Sequence, residues 1–565
     1  MRMIKISAVT FLCAVSLFIG ALLESRSAKN PVTRKVVSNA ERLLGLEFSD
    51  KDRDLMLEGL NDKQGSYEQI RKVPLSNSVL PAILLNPIPP GMTLESVQKP
   101  IQFSDPGAVS LPANRDELSF YPISKLALLI RTKQISSVDL TRMYMDRLKE
   151  YGPKLECTVT LTEDLAMQQA KRADEELASG KYRGLLHGIP YGAKDLLATK
   201  GIRTTWGTAP YKDQVIDEDA TVIARLEKAG AVLVAKLTLG ELAWGDVWYG
   251  GTTKNPWNYK QGSSGSSAGP ASATAAGLVP FAIGSETWGS IVSPSSRCGI
   301  TGLRPSYGRV SRKGAMALSW SMDKLGPICR NVEDCAIVFD AIRGPDGEDP
   351  TVYDVPFNYN PSAKLNDLKI GYLKSDFERP DDPENPEDPT DETAANDQAT
   401  LAKLRELGAM LVPVDLPKLP VEATSIILDV EAAAAFDQLT RSGKLALMKR
   451  QEKNAWPNTF RQARLIPGVE YIQANRIRTL LIQEMARIMK DLDVYVSPSF
   501  KGDNLLLTNL TGHPCVVVPN GFKKDGTPTS ISFTGKLFGE AEALSVAAIY
   551  QNATDFHLKR PQLKE

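Results

Sequence analysis

The sequence predicts an α/β fold, in which a β-sheet carries helices on its faces. Amphipathic stretches with helical spacing alternate with short runs rich in β-branched residues, and these runs are AVLVAKL, LVPFAIG, LKIGYL, DVYVSPS and CVVVPNGF. The chain has 565 residues, of which 42% are hydrophobic, and this is enough for a sizeable core. Its length exceeds one ordinary domain, so we expect either several domains or one large α/β domain with extensions.

The N-terminal segment, residues 1–28, is typical of a secretory signal peptide. Arg2 and Lys5 precede an apolar stretch over 6–23, and small residues follow up to Ala28. The apolar stretch, at roughly 18 residues, is also long enough for an uncleaved membrane anchor. We therefore expect an exported protein, periplasmic or secreted, which contacts a membrane only if this segment stays attached.

Residues 29–115 are predicted to form a helical and proline-rich extension. NAERLLGLEFSDKDRDLMLEGLND has helical spacing, with Ser49-Asp50 as the N-cap of a second helix. VLPAILLNPIPPGM then indicates an extended proline-rich strap.

Residues 116–565 carry the alternating α/β pattern and are predicted to form the main domain. It opens with two amphipathic helices, ISSVDLTRMYMDRLKEYGP and EDLAMQQAKRADEELASG, the second closed by Gly180. LHGIPYGAKDLL is a short apolar strand or turn, and DATVIARLEKAGAVLVAKLTLGEL predicts a helix, a turn at Gly230 and a buried strand. An acidic, proline-rich loop is predicted at about 376–396.

Composition excludes several classes of function. Lys plus Arg equals Asp plus Glu at 67 each, so no overall field favours nucleic acid or a membrane surface. Beyond the signal segment, the five cysteines form no CxxC pair, which argues against a metal or redox site. A Cys329–Cys335 bridge and buried free thiols are both compatible with the spacing, and we favour free thiols.

The stretch from Gln261 to Ser296 is unusually rich in serine and glycine. A flexible linker is one interpretation, but its middle, ASATAAGLVPFAIG, has the composition of a buried helix that leads into a buried strand. The flanking Gly/Ser turns suit a site where backbone N–H groups face a ligand. Ser290, at the end of GSETWGS, is either a nucleophile presented to a cleft or a helix cap. No GxSxG motif surrounds it.

A nucleophilic serine needs a base, and the chain has only three histidines: His187, His513 and His557. Nothing in the pattern singles one out. Lys194 is the alternative, because it lies in the apolar segment IPYGAKDLL, where desolvation would favour its neutral amine. A structural Lys194–Asp195 ion pair, or a lysine that reaches solvent, is the competing interpretation.

Together these segments resemble the amidase signature family. The resemblance rests on HGIPYGAKDLLATKGIRTT, on SSGSSAGPASATAAGLVPFAIGSETWGSIVSPSSRCGITGLRPSYGRVS and on TGHPCVVVPNGF, and it extends from about Leu118 to His557. It implies a large mixed, twisted sheet with helices on both faces. It also implies a Ser–cis-Ser–Lys triad, without cofactor or metal, in which Lys194 is the base and Ser290 the nucleophile. The family's spacing of 24 residues before the nucleophile places the bridging serine at Ser266.

In that resemblance, Ser266 relays a proton from Ser290 to neutral Lys194 and later returns one to the leaving amine. The backbone N–H groups of Thr287, Trp288, Gly289 and Ser290 would form the oxyanion hole. The sequence departs from the family pattern at Glu286, which replaces an aspartate, at Trp288, which replaces a glycine, and at Val292, which replaces an arginine. We expect Trp288 to narrow the acyl pocket.

The function implied is an exported amidase that hydrolyses a linear carboxamide through an acyl-serine intermediate, with a small-molecule amide and water as its partners. One alternative is the glutaminase subunit of a tRNA-dependent amidotransferase. The export signal and the balanced charge argue against that role and against nucleic acid as a partner. Another is a catalytically silent binding protein, which the presence of all three triad residues disfavours. The sequence carries no prediction of the substrate or the oligomeric state.

Overall fold

The computed structural model describes residues 31–378 and 391–563. The predicted signal segment and residues 379–390 of the predicted acidic loop lie outside the described residues. By contact, the chain divides into two compact units, the first ending at Val79 and the second running Leu80–Glu565.

The first unit contains a pair of helices, α1 (Arg34–Leu44) and α2 (Asp50–Lys72). The predicted cap is present, since the Ser49 hydroxyl accepts the N–H of Asp52 at 3.2 Å and the Asp52 carboxylate accepts the N–H of Ser49 in return.

The second unit is built on one mixed sheet of eleven strands, in the order β1-β3-β2-β8-β10-β9-β14-β15-β13-β11-β12. Strand β2 is parallel to both β3 and β8, and β11 is parallel to both β12 and β13, while the remaining neighbours are antiparallel. The prediction of a large mixed sheet is therefore confirmed. The strands are β1 (Thr158–Leu161), β2 (Pro190–Lys194), β3 (Val232–Leu237), β8 (Phe281–Glu286), β9 (Thr301–Arg304), β10 (Lys324–Cys329), β11 (Ile370–Leu373), β12 (Leu411–Val414), β13 (Val494–Pro498), β14 (Cys515–Phe522) and β15 (Pro528–Gly535).

Four short strands pair outside this sheet as β4 with β5 and β6 with β7. They are β4 (Val247–Trp248), β5 (Gly251–Thr252), β6 (Lys254–Asn255) and β7 (Asn258–Gly262).

Helices flank the sheet, as the sequence predicts. They are α3 (Ile123–Arg131), α4 (Ser137–Leu155), α5 (Glu163–Ala178), α6 (Thr221–Lys228), α7 (Ala268–Ala275), α8 (Val292–Cys298), α9 (Val332–Ile342), α10 (Lys374–Glu378), α11 (Asp391–Glu406), α12 (Ile426–Ala435), α13 (Asp437–Arg441), α14 (Trp456–Ala463), α15 (Gly468–Ile488), α16 (Asn504–Thr511) and α17 (Glu540–Thr554). Both predicted amphipathic helices form, as α4 and α5. Gly180, with φ of 87°, follows α5 in the left-handed conformation that favours glycine.

The centre of the sheet is buried on both faces. Every residue of β2, β3, β8 and β10 is buried, which explains why these strands are mainly apolar and do not alternate between apolar and polar residues. Within the described residues, no helix is long and apolar enough to span a membrane.

The cysteines of the described residues lie in the hydrophobic core. All five in the described part of the chain are buried and unbridged, which confirms free thiols and excludes the Cys329–Cys335 bridge in this structure. Burial raises the pKa of the Cys157 thiol to about 12.

Candidate active site

The carboxyl ends of two central strands bring the predicted site residues to one edge of the sheet. Strands β2 and β8 are parallel neighbours, with Ala193 opposite Ile283, so Lys194 at the end of β2 lies beside the end of β8. Ligand and catalytic groups commonly gather at such an edge.

Lys194 is fully buried and surrounded by hydroxyl groups. Its Nζ lies 2.8 Å from Ser266 Oγ, 2.9 Å from Ser285 Oγ and 3.0 Å from Ser267 Oγ, with the Ser285 carbonyl oxygen at 3.3 Å. Burial holds the pKa of Lys194 well below its usual range, although Asp323 and Glu286 act in the opposite direction. The arrangement therefore favours a neutral amine in contact with Ser266.

The competing interpretation of Lys194 is wrong, because Asp195 has a different partner. Its carboxylate lies 3.1 Å from Lys236 Nζ, and both side chains are fully buried. The N–H and hydroxyl of Thr205 donate to the same carboxylate at 2.9 and 2.5 Å. Successive side chains of an extended segment point in opposite directions, so Asp195 turns away from its neighbour and meets Lys236 on β3.

Ser266 follows a cis peptide bond with Gly265 and is 1% exposed. Glycine is required before it by close approach, since a Cβ on residue 265 would lie 1.9 Å from the carbonyl oxygen of Gly245. This packing places Ser266 at the Lys194 amine.

Ser290 ends the tight turn that follows β8. The turn contains Gly289 with φ of 84°, and the Ser290 carbonyl accepts the N–H of Ser267 at 3.1 Å. The segment that carries Ser290 is thus bonded directly to the segment that carries Ser266. Among the described residues, no acceptor receives the N–H groups of Trp288, Gly289 or Ser290. Their predicted role in an oxyanion hole stays a prediction.

The Glu286 carboxylate holds the two residues that directly follow this turn. Its carboxylate accepts the N–H groups of Ile291 and Val292 at 2.8 and 2.9 Å, and it also receives Arg304 Nη1 at 2.9 Å. Burial alone would raise the pKa of Glu286, but the Arg304 charge and these hydrogen bonds lower it to about 2. Arg304, on β9, therefore supplies the guanidinium that pairs with this buried carboxylate.

Trp288 projects from the turn with 41% of its surface exposed. Its predicted role as a wall of the acyl pocket stays a prediction.

The histidines have other contacts. His187 is buried with Nε2 2.9 Å from the Ala173 carbonyl oxygen, and His513 is buried with Nδ1 2.9 Å from Thr511 Oγ1. Burial lowers the pKa of His513 to about 3. Among the contacts of the described residues, none joins these rings to Lys194, Ser266 or Ser290.

Sequence reasoning missed two contacts of the lysine, Ser267 and Ser285. The Ser267 hydroxyl donates to the Ser285 carbonyl at 3.0 Å and accepts the Ser285 N–H at 3.1 Å, so the two residues lock the hydroxyl cluster together. The sequence of β8 offered a signal, since Ser285 and Glu286 are polar residues at the end of an otherwise apolar strand.

The chain is similar in sequence to known proteins. The model of the amidase family matches residues 139–507. The chain is 34% identical to a glutamyl-tRNA(Gln) amidotransferase subunit of Marinomonas sp. (strain MWYL1) over 487 residues, which cover 78% of this chain and 98% of that protein. The corresponding protein of Methylococcus capsulatus is 34% identical over 485 residues, with coverage of 78% and 98%.

Solved structures show the same likeness. The native peptide amidase from Stenotrophomonas maltophilia superposes with a TM-score of 0.69 at 28% identity, covering 79% of this chain and 99% of that one. An amidase family protein from Bacillus anthracis superposes with a TM-score of 0.69 at 26% identity, covering 80% and 94%.

Proposed function

Because this chain belongs to the amidase signature family, we propose that it hydrolyses the C–N bond of a linear carboxamide through an acyl-serine intermediate. The observation that carries the proposal is the Lys194 amine, fully buried and 2.8 Å from Ser266 Oγ. A desolvated amine among hydroxyl groups is suited to accept a proton, whereas a lysine kept for structure is normally paired with a carboxylate, as Lys236 is with Asp195.

In the proposed mechanism, neutral Lys194 accepts the Ser266 hydroxyl proton while Ser266 accepts the proton of Ser290. Ser290 Oγ attacks the amide carbon, and the carbonyl oxygen becomes an oxyanion that the N–H groups of the 287–290 turn would stabilise. The C–N bond then breaks as the relay returns a proton to the leaving nitrogen, because an unprotonated amine leaves poorly. Water attacks the acyl-serine by the same relay, which releases the carboxylic acid and restores Ser290.

Labelling with a fluorophosphonate tests the nucleophile without knowledge of the substrate. We expect Ser290→Ala to abolish labelling, and Ser266→Ala and Lys194→Ala to slow it strongly while the protein stays folded. Ser293→Ala is the matched control, since Ser293 lies beside Gly289 but has no role in the proposed relay. A label that mass spectrometry places on Ser264, Ser266 or Ser267 of the wild type would contradict the proposal.

A second candidate is a glutaminase that serves a tRNA-dependent amidotransferase. It is favoured by the relatives at 34% identity, which are named as subunits of a glutamyl-tRNA(Gln) amidotransferase. The balanced charge of the chain and its signal-like N-terminus speak for the free amidase instead. Hydrolysis of glutamine in preference to every member of a panel of aliphatic, aromatic, fatty-acyl and peptide amides would favour the second candidate. If no amide of the panel is hydrolysed and Ser290 takes no fluorophosphonate label, the catalytically silent binding protein is the remaining interpretation.

We also propose that the protein is exported, with a mature N-terminus near Ala28 or Lys29. The proposal rests on the basic, apolar and small-residue order of residues 1–28. Cell fractionation with N-terminal sequencing tests it. A soluble cytoplasmic protein that starts at Met1 would overturn the proposal and remove the main objection to the tRNA-linked role.

A further inference from the structure

The loop from Leu318 to Asp323 lies between the 287–290 turn and the helices α12 and α15. Two buried carboxylates hold it, one from within the loop and one from α12. The proposed triad uses neither carboxylate.

Asp323 connects this loop to the turn. Its Oδ1 accepts the Thr287 hydroxyl at 2.5 Å, and its Oδ2 accepts the N–H groups of Leu318 and Ser319 at 2.8 and 3.0 Å. The residue is 8% exposed. Because it directly precedes β10, whose Lys324 is opposite Glu286 in register, its carboxylate lies at the same sheet edge as the site.

The other side of the loop is held by Glu431 of α12. Its carboxylate accepts the hydroxyls of Ser319 and Ser321 at 2.6 and 2.7 Å and the N–H of Ser321 at 3.0 Å. Arg478 of α15 donates to the Ser321 hydroxyl and carbonyl, each at 2.7 Å. The loop is therefore fixed on both sides, and so is the carboxylate that receives Thr287.

Asp323 also acts on Lys194 through its charge. Burial dominates the environment of the lysine and lowers its pKa, and the two charged groups that act against it are Asp323, before β10, and Glu286, at the end of β8. The Glu286 charge is partly neutralised by its ion pair with Arg304. Burial raises the pKa of the Asp323 carboxyl, while the hydrogen bond from Thr287 and the charge of Arg312 act in the opposite direction. A negative charge at Asp323 favours the protonated amine.

We propose that Asp323 is a positioning residue of the reaction: it anchors the 287–290 turn through Thr287 and places a negative charge at the sheet edge that carries the buried base. This inference rests on the proposed function, since it assigns a role relative to Ser290 and Lys194.

The test is the pH dependence of fluorophosphonate labelling at Ser290 in Asp323→Asn. We expect the plateau rate to fall about 10- to 100-fold, because the turn loses a charge-assisted anchor and small displacements at a reacting centre are costly. We also expect the acidic side of the profile to move to lower pH. Removal of the negative charge favours the neutral amine, so Lys194 loses its proton at a lower pH.

Variants at Thr287 separate the anchor from the charge and cover the case in which Asp323→Asn fails to fold. Thr287→Val removes the hydroxyl and leaves the carboxylate, so it should slow labelling without moving the acidic side of the profile. Thr287→Ser keeps the hydroxyl, so it should label faster than Thr287→Val and close to the rate of the wild type. Glu431→Gln loosens the same loop without removing either group that faces Lys194, so it should lower the rate and leave the profile in place.

A profile of Asp323→Asn that coincides with the wild type in position, or a Thr287→Val variant that labels as fast as the wild type, overturns the inference. A wild type that takes no label on Ser290 at any pH overturns the proposed function, and this inference with it.

Discussion

The two buried lysines of neighbouring strands should respond in opposite ways to the same substitution. Lys194→Met and Lys236→Met each replace a fully buried amine with an unbranched apolar side chain of similar length. If Lys194 is the base and Lys236 a structural cation, Lys194→Met should mainly lower the labelling rate, and Lys236→Met should mainly lower the free energy of unfolding.

For Lys194→Met, the labelling rate at Ser290 should fall about 10²- to 10⁴-fold, which is the usual contribution of a positioned base. The free energy of unfolding should fall by less than in Lys236→Met. Ser266, Ser267 and Ser285 each lose one contact, but Ser267 keeps its hydrogen bonds with the Ser285 backbone. The desolvation of the amine is also removed, so a net loss of about 1–2 kcal/mol is expected.

For Lys236→Met, the Asp195 carboxylate stays buried without its cation. Removal of one partner of a buried ion pair costs about 3–5 kcal/mol, and the two hydrogen bonds from Thr205 place the expected loss near the lower end. The folded fraction should still label within about tenfold of the wild type, a barrier change of roughly 1.4 kcal/mol.

Urea unfolding gives the stability of each variant, and the initial rate of labelling in native buffer gives the activity. The reasoning is refuted if Lys194→Met, correctly folded, labels within tenfold of the wild type. It is refuted equally if Lys236→Met abolishes labelling in a protein of unchanged stability.

Three further predictions concern pH, His187 and Trp288. Labelling of the wild type should rise with pH through the lowered pKa of Lys194, because only the deprotonated amine accepts a proton; a rate that falls over that range would contradict a neutral-lysine base. His187→Asn should keep the rate within about tenfold, since the ring bonds to Ala173 rather than to the triad, and a loss of several orders of magnitude with the fold intact would favour a serine–histidine mechanism. Trp288→Gly should broaden acceptance of bulky acyl groups across a series of amides of increasing acyl size, and an unchanged profile would show that the indole points away from the pocket.

The sheet could be predicted where its strands are continuous apolar runs. AVLVAKL, LVPFAIG and CVVVPNGF correspond to β3, β8 and β14, because buried central strands need apolar side chains on both faces. PTSISFTG, which forms β15, was not predicted as a strand, because its hydroxyl residues are typical of a loop. The hydroxyl groups of Thr529, Ser530 and Ser532 are buried with hydrogen-bond partners, as when Ser530 Oγ donates to Ser296 Oγ at 2.6 Å. That partnership depends on contacts across long sequence distances.

The same limit applies to the site. The segment IPYGAKDLL indicates a desolvated lysine, and the Gly/Ser block indicates a turn that exposes backbone N–H groups. The partner of Asp195 could not be predicted, because it depends on the parallel register that places Lys236 opposite Ala193. The contact between Thr287 and Asp323 joins residues 36 positions apart and requires the β8–β10 pairing. Local sequence therefore predicts the residue types, and the sheet register determines their partners.

The five buried thiols of the described residues can report where the structure opens locally. Cys157, Cys298 and Cys515 belong to three separate apolar clusters, while Cys329 and Cys335 share the largest one. A thiol-directed mass tag can reach each sulfur only when the surrounding cluster opens, so the modification rate at each position in native buffer reports a local opening free energy. Equal rates at Cys157 and Cys515 would mean that both of their clusters open together, and unequal rates would reveal which of the two loosens first.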